Sequence, residues 1–232
     1  MQRVDLFTPI HKGVRSMIYR LGSDLQVADF TDERATGELT AKLEYNLELA
    51  TSSSCILCLL HEHAGNEDKY LFPQVHPFEP EMVEQLIQEH REVVRRLGGI
   101  SKFLVELKTT TASGKRIEMG IKLNQMVNDL FAFYLTHLAK EEETILPATW
   151  QHFTDEQLIA FRTTVERNTP PERYAEWMKW VFPSLDANEL TGMFAGMKQG
   201  APPFFLDSMK RIAEEVVPKD RWEIVKQRTG LR

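Results

Sequence analysis

The sequence predicts an all-α protein, an up-down-up-down four-helix bundle followed by a C-terminal extension of short helices. Three observations lead there. Apolar residues recur at i, i+3 and i+4 along four long stretches before about residue 150, strand-like alternation of β-branched residues is scarce, and the connections between stretches are short. At 232 residues the chain is long enough to bury a sizeable core. We expect the bundle to occupy residues 1–152 and the extension residues 153–232.

The first helix is expected over residues 5–30, with Phe7, Ile10, Val14, Ile18, Leu21 and Leu25 inward. His11 lies between Ile10 and Val14, on that apolar face. Thr31, Asp32 and Glu33 read as an N-cap with acidic first-turn residues. The second helix is expected to continue to residue 71 through Leu39, Leu43, Leu47, Ser54 and Cys58. A loop follows, holding a solvent-exposed His76. The third helix should span residues 81–108 with Val83, Leu86, Ile87, His90, Val93, Val94, Leu97 and Ile100 inward. After a polar loop, the fourth carries Ile117, Ile121, Leu123, Val127, Leu130, Phe133, Tyr134, His137 and Glu141 and is expected to end at Pro147.

Beyond residue 154 prolines punctuate short segments rich in methionine and aromatic residues, from Trp177 to Trp222. Thr154 and Gln157 resemble a capping box. A stripe of this kind is either core or a docking surface.

One pattern occurs twice. His63 is followed four residues later by Glu67, then Asp68, then Leu71, Phe72 and Pro73; His137 is followed by Glu141, Glu142, Ile145, Leu146 and Pro147. On a helix an i, i+4 pair differs by about 40° and about 6 Å, so both side chains leave one face. Proline cannot supply the backbone donor, so each helix is expected to stop there. A single such pair is ordinarily a pair of solvated neighbours. Two copies with matching tails ask for more.

In an up-down bundle His11, early in the first helix, His63, late in the second, His90, early in the third, and His137, late in the fourth, converge at one end. With Glu67 and Glu141 they give four imidazoles and two carboxylates inside an apolar interior. Burying two unpaired carboxylates costs several kcal/mol each. A pair of divalent cations answers that demand, and imidazole with carboxylate suits iron or zinc rather than magnesium or calcium. His61 is turned roughly 200° from His63. It is expected on the surface or supporting a ligand from behind.

Composition narrows the partners. The net charge is -6 with both signs interspersed, which disfavours nucleic acid. No apolar run approaches roughly 18 residues and no signal-like start is visible, so a cytoplasmic protein away from membranes is expected. Cys55 and Cys58 form a C-x-x-C inside an apolar helix, without the strand that a thioredoxin-type site requires. Buried, reduced thiols are expected.

Taken together, the helix start at His11, His63-x-x-x-Glu67 with Leu-Phe-Pro, His90, and His137-x-x-x-Glu141 with Ile-Leu-Pro resemble the hemerythrin-like (HHE cation-binding) domain family over residues 1–150. The ferritin-like alternative needs Glu-x-x-His pairs, and no histidine here has a glutamate three positions before it. The resemblance implies a non-haem, oxo- or hydroxo-bridged pair of iron ions, with zinc less suited, that binds or senses dioxygen, nitric oxide or peroxide. It further implies that Glu67 and Glu141 bridge, that His11 and His63 ligate one ion, and that His90 and His137 ligate the other. Leu59, Val94 and Phe133 would then limit water entry. Oxygen carriers of the family present two third-helix histidines at i and i+4, and here Val94 stands four residues after His90. The other reading is a metal-dependent regulatory or interaction protein that docks through its C-terminal helices, to a partner or a second copy. A small oxidase or peroxidase ranks below both, because no further acid-base pair is legible.

Overall fold

The computed structural model describes residues 3–43 and 56–231, the side chain of Ile56 excepted, and contains no strand among the described residues. The all-α bundle with extra C-terminal helices is therefore observed. The chain forms two compact units, Met1–Phe7 with Met17–Asn168, and Thr8–Ser16 with Thr169–Arg232. No described helix is long and apolar enough to cross a membrane.

The first unit holds most of α1 (Thr8–Gln26), then α2 (Glu33–Leu43), α3 (Ile56–Asn66), α4 (Phe72–Val75), α5 (Pro80–Thr109), α6 (Ser113–Lys140), α7 (Leu146–His152) and α8 (Asp155–Asn168). Local chemistry sets several ends. Asp32 caps α2 by accepting from the backbone N–H groups of Arg34 and Ala35 at 2.8 and 3.1 Å. Pro80 opens α5, at a position where its missing N–H costs nothing. The backbone of Thr154 donates to Gln157 while the Thr154 hydroxyl accepts from Gln157, the reciprocal cap expected at the start of α8. The proposed continuity of the second helix passes through residues 44–55, including Leu47, Ser54 and Cys55, which lie outside the described residues. Cys58 is buried as expected, but it is disulfide-bonded rather than reduced.

On α5 the buried stripe is Val83, Leu86, His90, Val93, Leu97 and Ile100. Val94 is 37% exposed and does not face the interior as expected. One residue past Val93, it is rotated by about 100° off the stripe. On α6 the stripe runs through Met119, Gly120, Leu123, Val127, Leu130, Tyr134 and His137. Ile117 and Ile121, expected inward, are exposed for the same reason.

Gly120 permits a close approach. A Cβ placed there would lie 2.2 Å from Cδ2 of Phe30, so only glycine lets that ring lie against α6. One turn earlier the buried Arg116 donates to the carbonyl oxygens of Phe30 at 3.1 Å, Thr31 at 2.9 Å and Thr111 at 2.7 Å. Ring and guanidinium together fasten the α1–α2 connection to the start of α6.

The second unit is built from α9 (Pro171–Ser184), α10 (Ala187–Gly200), α11 (Pro203–Val216) and α12 (Lys219–Thr229), with the first turns of α1. Its core is a run of aromatic rings, Phe182 at 5.3 Å from Phe194 and Phe194 at 4.8 Å from Trp222. Asp186 forms a capping box with Glu189 at the head of α10, and Glu189 also pairs with Lys12. Trp177 and Met178 are buried too, so much of the methionine and aromatic stripe is core. Phe204, 74% exposed, is the exception in that stretch.

Candidate metal centre

The two repeated motifs fold alike, and their prolines explain how. In an α-helix the ring of Pro73 would collide with the carbonyl of Lys69, and that of Pro147 with the carbonyl of Glu143. Both helices avoid this by widening into a five-residue π turn, Glu67–Leu71 in one and Glu141–Ile145 in the other. The N–H of Phe72 donates to the Glu67 carbonyl, and that of Leu146 to the Glu141 carbonyl. The helix does not stop at proline, as the sequence suggested. It continues as α4 and α7, each with the proline in its first turn. Each π turn begins on the motif glutamate, a place where such bulges are frequent in functional sites.

Below the π turns, Phe7, Leu71, Phe72, Val75, Val83, Leu86, Ile145 and Leu146 pack as one apolar cluster. It anchors the chain on the far side of both glutamates.

The six residues singled out from sequence are all buried, and their ligand atoms fall into two groups of four. In the first, His11, His63, Glu67 and Glu141 each offer an atom within 4.8 Å of the others. The second, Glu67, His90, His137 and Glu141, meets the same limit and lies wholly in the first unit. Both groups share the two glutamates. His63 Nε2 is 3.4 Å from Glu67, His137 Nε2 is 3.1 Å from Glu141, and His90 Nε2 is 3.6 and 3.7 Å from Glu67 and Glu141. The Nε2 atoms of His90 and His137 are 2.8 Å apart.

Charge in this space is unbalanced. Burial pushes the Glu67 carboxyl well above the usual carboxylate range, and the Glu141 carboxylate beside it pushes the same way. Burial works against a charged His137, yet Glu141 and Glu89 outweigh it and hold that imidazole up at about 9. His90 is likewise raised, with Asp68 and Glu141 overcoming burial. An environment that draws protons onto buried imidazoles draws a metal cation to the same nitrogens. The donor set of imidazoles and carboxylates therefore fits divalent metal that accepts nitrogen as well as oxygen ligands.

Three further residues support the centre: Asp68, which belongs to the repeated motif, Tyr134, which lies on the apolar stripe of the fourth helix, and Glu89, which no local pattern marks. Glu89 Oε2 is 2.9 Å from Nδ1 of His137 and is also bound by the Lys140 ammonium. Those hydrogen bonds outweigh burial and lower its pKa to about 2. Asp68 Oδ1 is 2.7 Å from Nδ1 of His90. Tyr134, fully buried, donates to the Leu60 carbonyl at 2.9 Å, its ring 5.8 Å from that of His137 and 6.5 Å from that of His63. Glu89 serves a histidine on another helix, so no spacing along the chain betrays it.

His61 belongs to neither group; it is half-buried, and burial lowers its pKa. His76 is exposed, 3.5 Å from Glu84. Leu59 is buried and Phe133 half-buried under the Arg96 guanidinium, 4.6 Å from its ring centre. Of the three apolar residues expected to keep water out, Val94 alone faces solvent. One turn before His90, the inward position is held by Leu86.

A fold of this kind with a buried cluster of histidines and glutamates defines a metal-binding helical bundle. The hemerythrin HHE cation-binding domain matches residues 3–149, and the chain belongs to that family. No curated protein and no solved structure matches it.

Proposed function

We propose that this chain is a non-haem di-iron protein that binds or senses dioxygen, or a related small oxidant such as nitric oxide or peroxide. The observation that carries the reading is the sharing of Glu67 and Glu141 between two four-residue ligand groups. Two carboxylates common to both groups suit two cations held side by side, with His11 and His63 on one and His90 and His137 on the other. Iron is favoured over zinc because the reading requires a redox-active pair; when bound, such a pair supplies electrons to an oxygen-derived ligand.

The protein's own part is to hold the donors and keep the interior dry. Phe72 lies flat against the His90 ring at 5.4 Å, and Leu59, Leu60, Leu130 and Leu138 are buried along the helices that bear the ligands. Four residues after His90 stands Val94, which offers no donor and is 37% exposed, so a ligand position is left for a small molecule. We place the metal-binding module in residues 1–152, with residues 153–232 as an extension.

Iron loading under anaerobic conditions tests this. About two irons per chain are expected by the donor count, followed by a near-ultraviolet to visible charge-transfer band on admitting air. A chain that stays iron-free and colourless after anaerobic reconstitution ends the proposal.

A further inference from the structure

An imidazole has two nitrogens, and a ligand must present the correct one. Ring rotation exchanges them unless the second nitrogen is held. His90 and His137 turn their Nε2 atoms toward each other and toward Glu67 and Glu141, while Nδ1 of each points to a carboxylate outside both ligand groups. The two supports are unequal. Glu89 comes from α5, accepts from His137 on α6, and is pinned by Lys140 one turn further along α6, with 16% of its side chain exposed. Asp68 is 38% exposed and reaches His90 from the first π turn.

We propose that Glu89 and Asp68 are positioning residues which hold His137 and His90 through Nδ1, so that both Nε2 lone pairs address a single cation, with Glu89 the firmer support. This rests on the reading that His90 and His137 ligate iron, and on nothing about dioxygen. The carboxylate fixes the tautomer by accepting the Nδ1 proton, and fixes the ring plane by where it accepts it. A carboxylate so placed also makes the far nitrogen a better donor to metal. Lys140 restricts Glu89 to one orientation. The Phe72 ring, stacked on His90 at 5.4 Å, compensates in part for the more exposed Asp68.

The experiment is an anaerobic titration of the full chain with ferrous ion against a chromophoric chelator, with cobalt(II) absorption as a second readout of the ligand field. Outer carboxylates of this kind change metal affinity by roughly 10- to 100-fold. Glu89→Ala is expected to weaken the iron held by His90 and His137 by that factor and to shift the cobalt bands, and Asp68→Ala to weaken it less. Asp68→Asn, whose amide oxygen can accept the same N–H, should bind close to the unaltered chain, and Glu89→Gln should recover part of the loss. Asp129→Ala removes a carboxylate that pairs with Arg96, away from the histidines, and should change nothing. Metal-free helicity and melting show whether each variant has folded. Should Glu89→Ala not fold, Asp68→Ala and Glu89→Gln decide the matter alone. Affinities within twofold of the unaltered chain for Asp68→Ala and for whichever Glu89 variant folds overturn the proposal. So does an Asp68→Asn chain as weak as Asp68→Ala. An unaltered chain that holds no iron overturns this proposal and the di-iron reading together, whereas good binding in every variant overturns this one only.

Discussion

The two motif copies begin alike and are sustained differently. Both place a histidine and a glutamate one turn apart, and both widen into a π turn ahead of a proline. In the second copy His137 stands in the last turn of a regular helix of 28 residues, Glu141 just beyond it is entirely buried, and Glu89 and Lys140 brace the histidine. In the first, Glu67 is slightly more exposed, and the adjacent Asp68 supports His90 of another helix rather than His63. The proline rule repeats a backbone shape, but the surroundings decide how firmly each copy holds its side chains.

The sharpest break of this comparison removes the shared carboxylates. Glu141→Ala is expected to abolish nearly all iron retention and Glu67→Ala to lower it severely, as read by metal content after gel filtration. The metal-free form of Glu67→Ala should melt higher than the unaltered chain, because a carboxyl strained by burial and by Glu141 is gone, whereas Glu141→Ala should show no such gain, because it also removes the partner of a protonated His137. Retention equal to the unaltered chain would remove Glu67 and Glu141 from the site.

A smaller effect is expected from the prolines. Pro147→Ala and Pro73→Ala restore a backbone donor and let each π turn relax toward an α-helix, which rotates the glutamate relative to the chain beyond it. Iron affinity should drop, more for Pro147 because Glu141 has less room to readjust. Equal, unchanged affinities would show that the apolar cluster holds the π turns without help from proline.

Tyr134→Phe removes one hydrogen bond to the Leu60 carbonyl and should cost about 1 kcal/mol in denaturant unfolding. Iron content should change little.

A pH series separates the metal-free state from the loaded one. His137 has a folded pKa near 9, above its unfolded value of about 6.5. Its contribution to the metal-free fold is therefore complete below about pH 6.5 and lost as pH rises through about 9. Glu67, also raised, pushes in the same direction. Metal-free melting temperatures should fall across this window, while the loaded protein, whose cations occupy those nitrogens, should show a flatter profile. In acid the order reverses, since protons displace metal from histidine as pH drops through roughly 6 to 5. The smallest changes are expected for His61→Ala and His76→Ala, which should leave iron content as it was.

Much of this was legible along the chain. Helical spacing placed His11, His63, His90 and His137 on apolar faces, and the duplicated tail paired Glu67 with Glu141, since each depends only on local periodicity. What escaped notice depends on neighbours distant in sequence. Glu89 looks like any polar residue of α5 until α6 lies beside it. Apolar identity alone does not set orientation: Val94 and Ile121 each stand a single residue away from the buried stripe and are exposed. The π turns were invisible because a proline in a helical pattern reads as a stop, whereas packing of Phe72, Val75, Leu146 and Ala148 below them carries the helix onward.

Gly120 and Arg116 lie near the start of α6, and His137 lies 17 residues after Gly120, about 25 Å along the helix axis. The bundle thus has a clasp at one pole that owes nothing to metal. Contacts of the Phe30 ring and the Arg116 guanidinium hold this pole whether or not a metal is bound at the other. Amide exchange on the metal-free protein is expected to show this as a gradient of protection along α6, highest near Gly120 and lowest near His137.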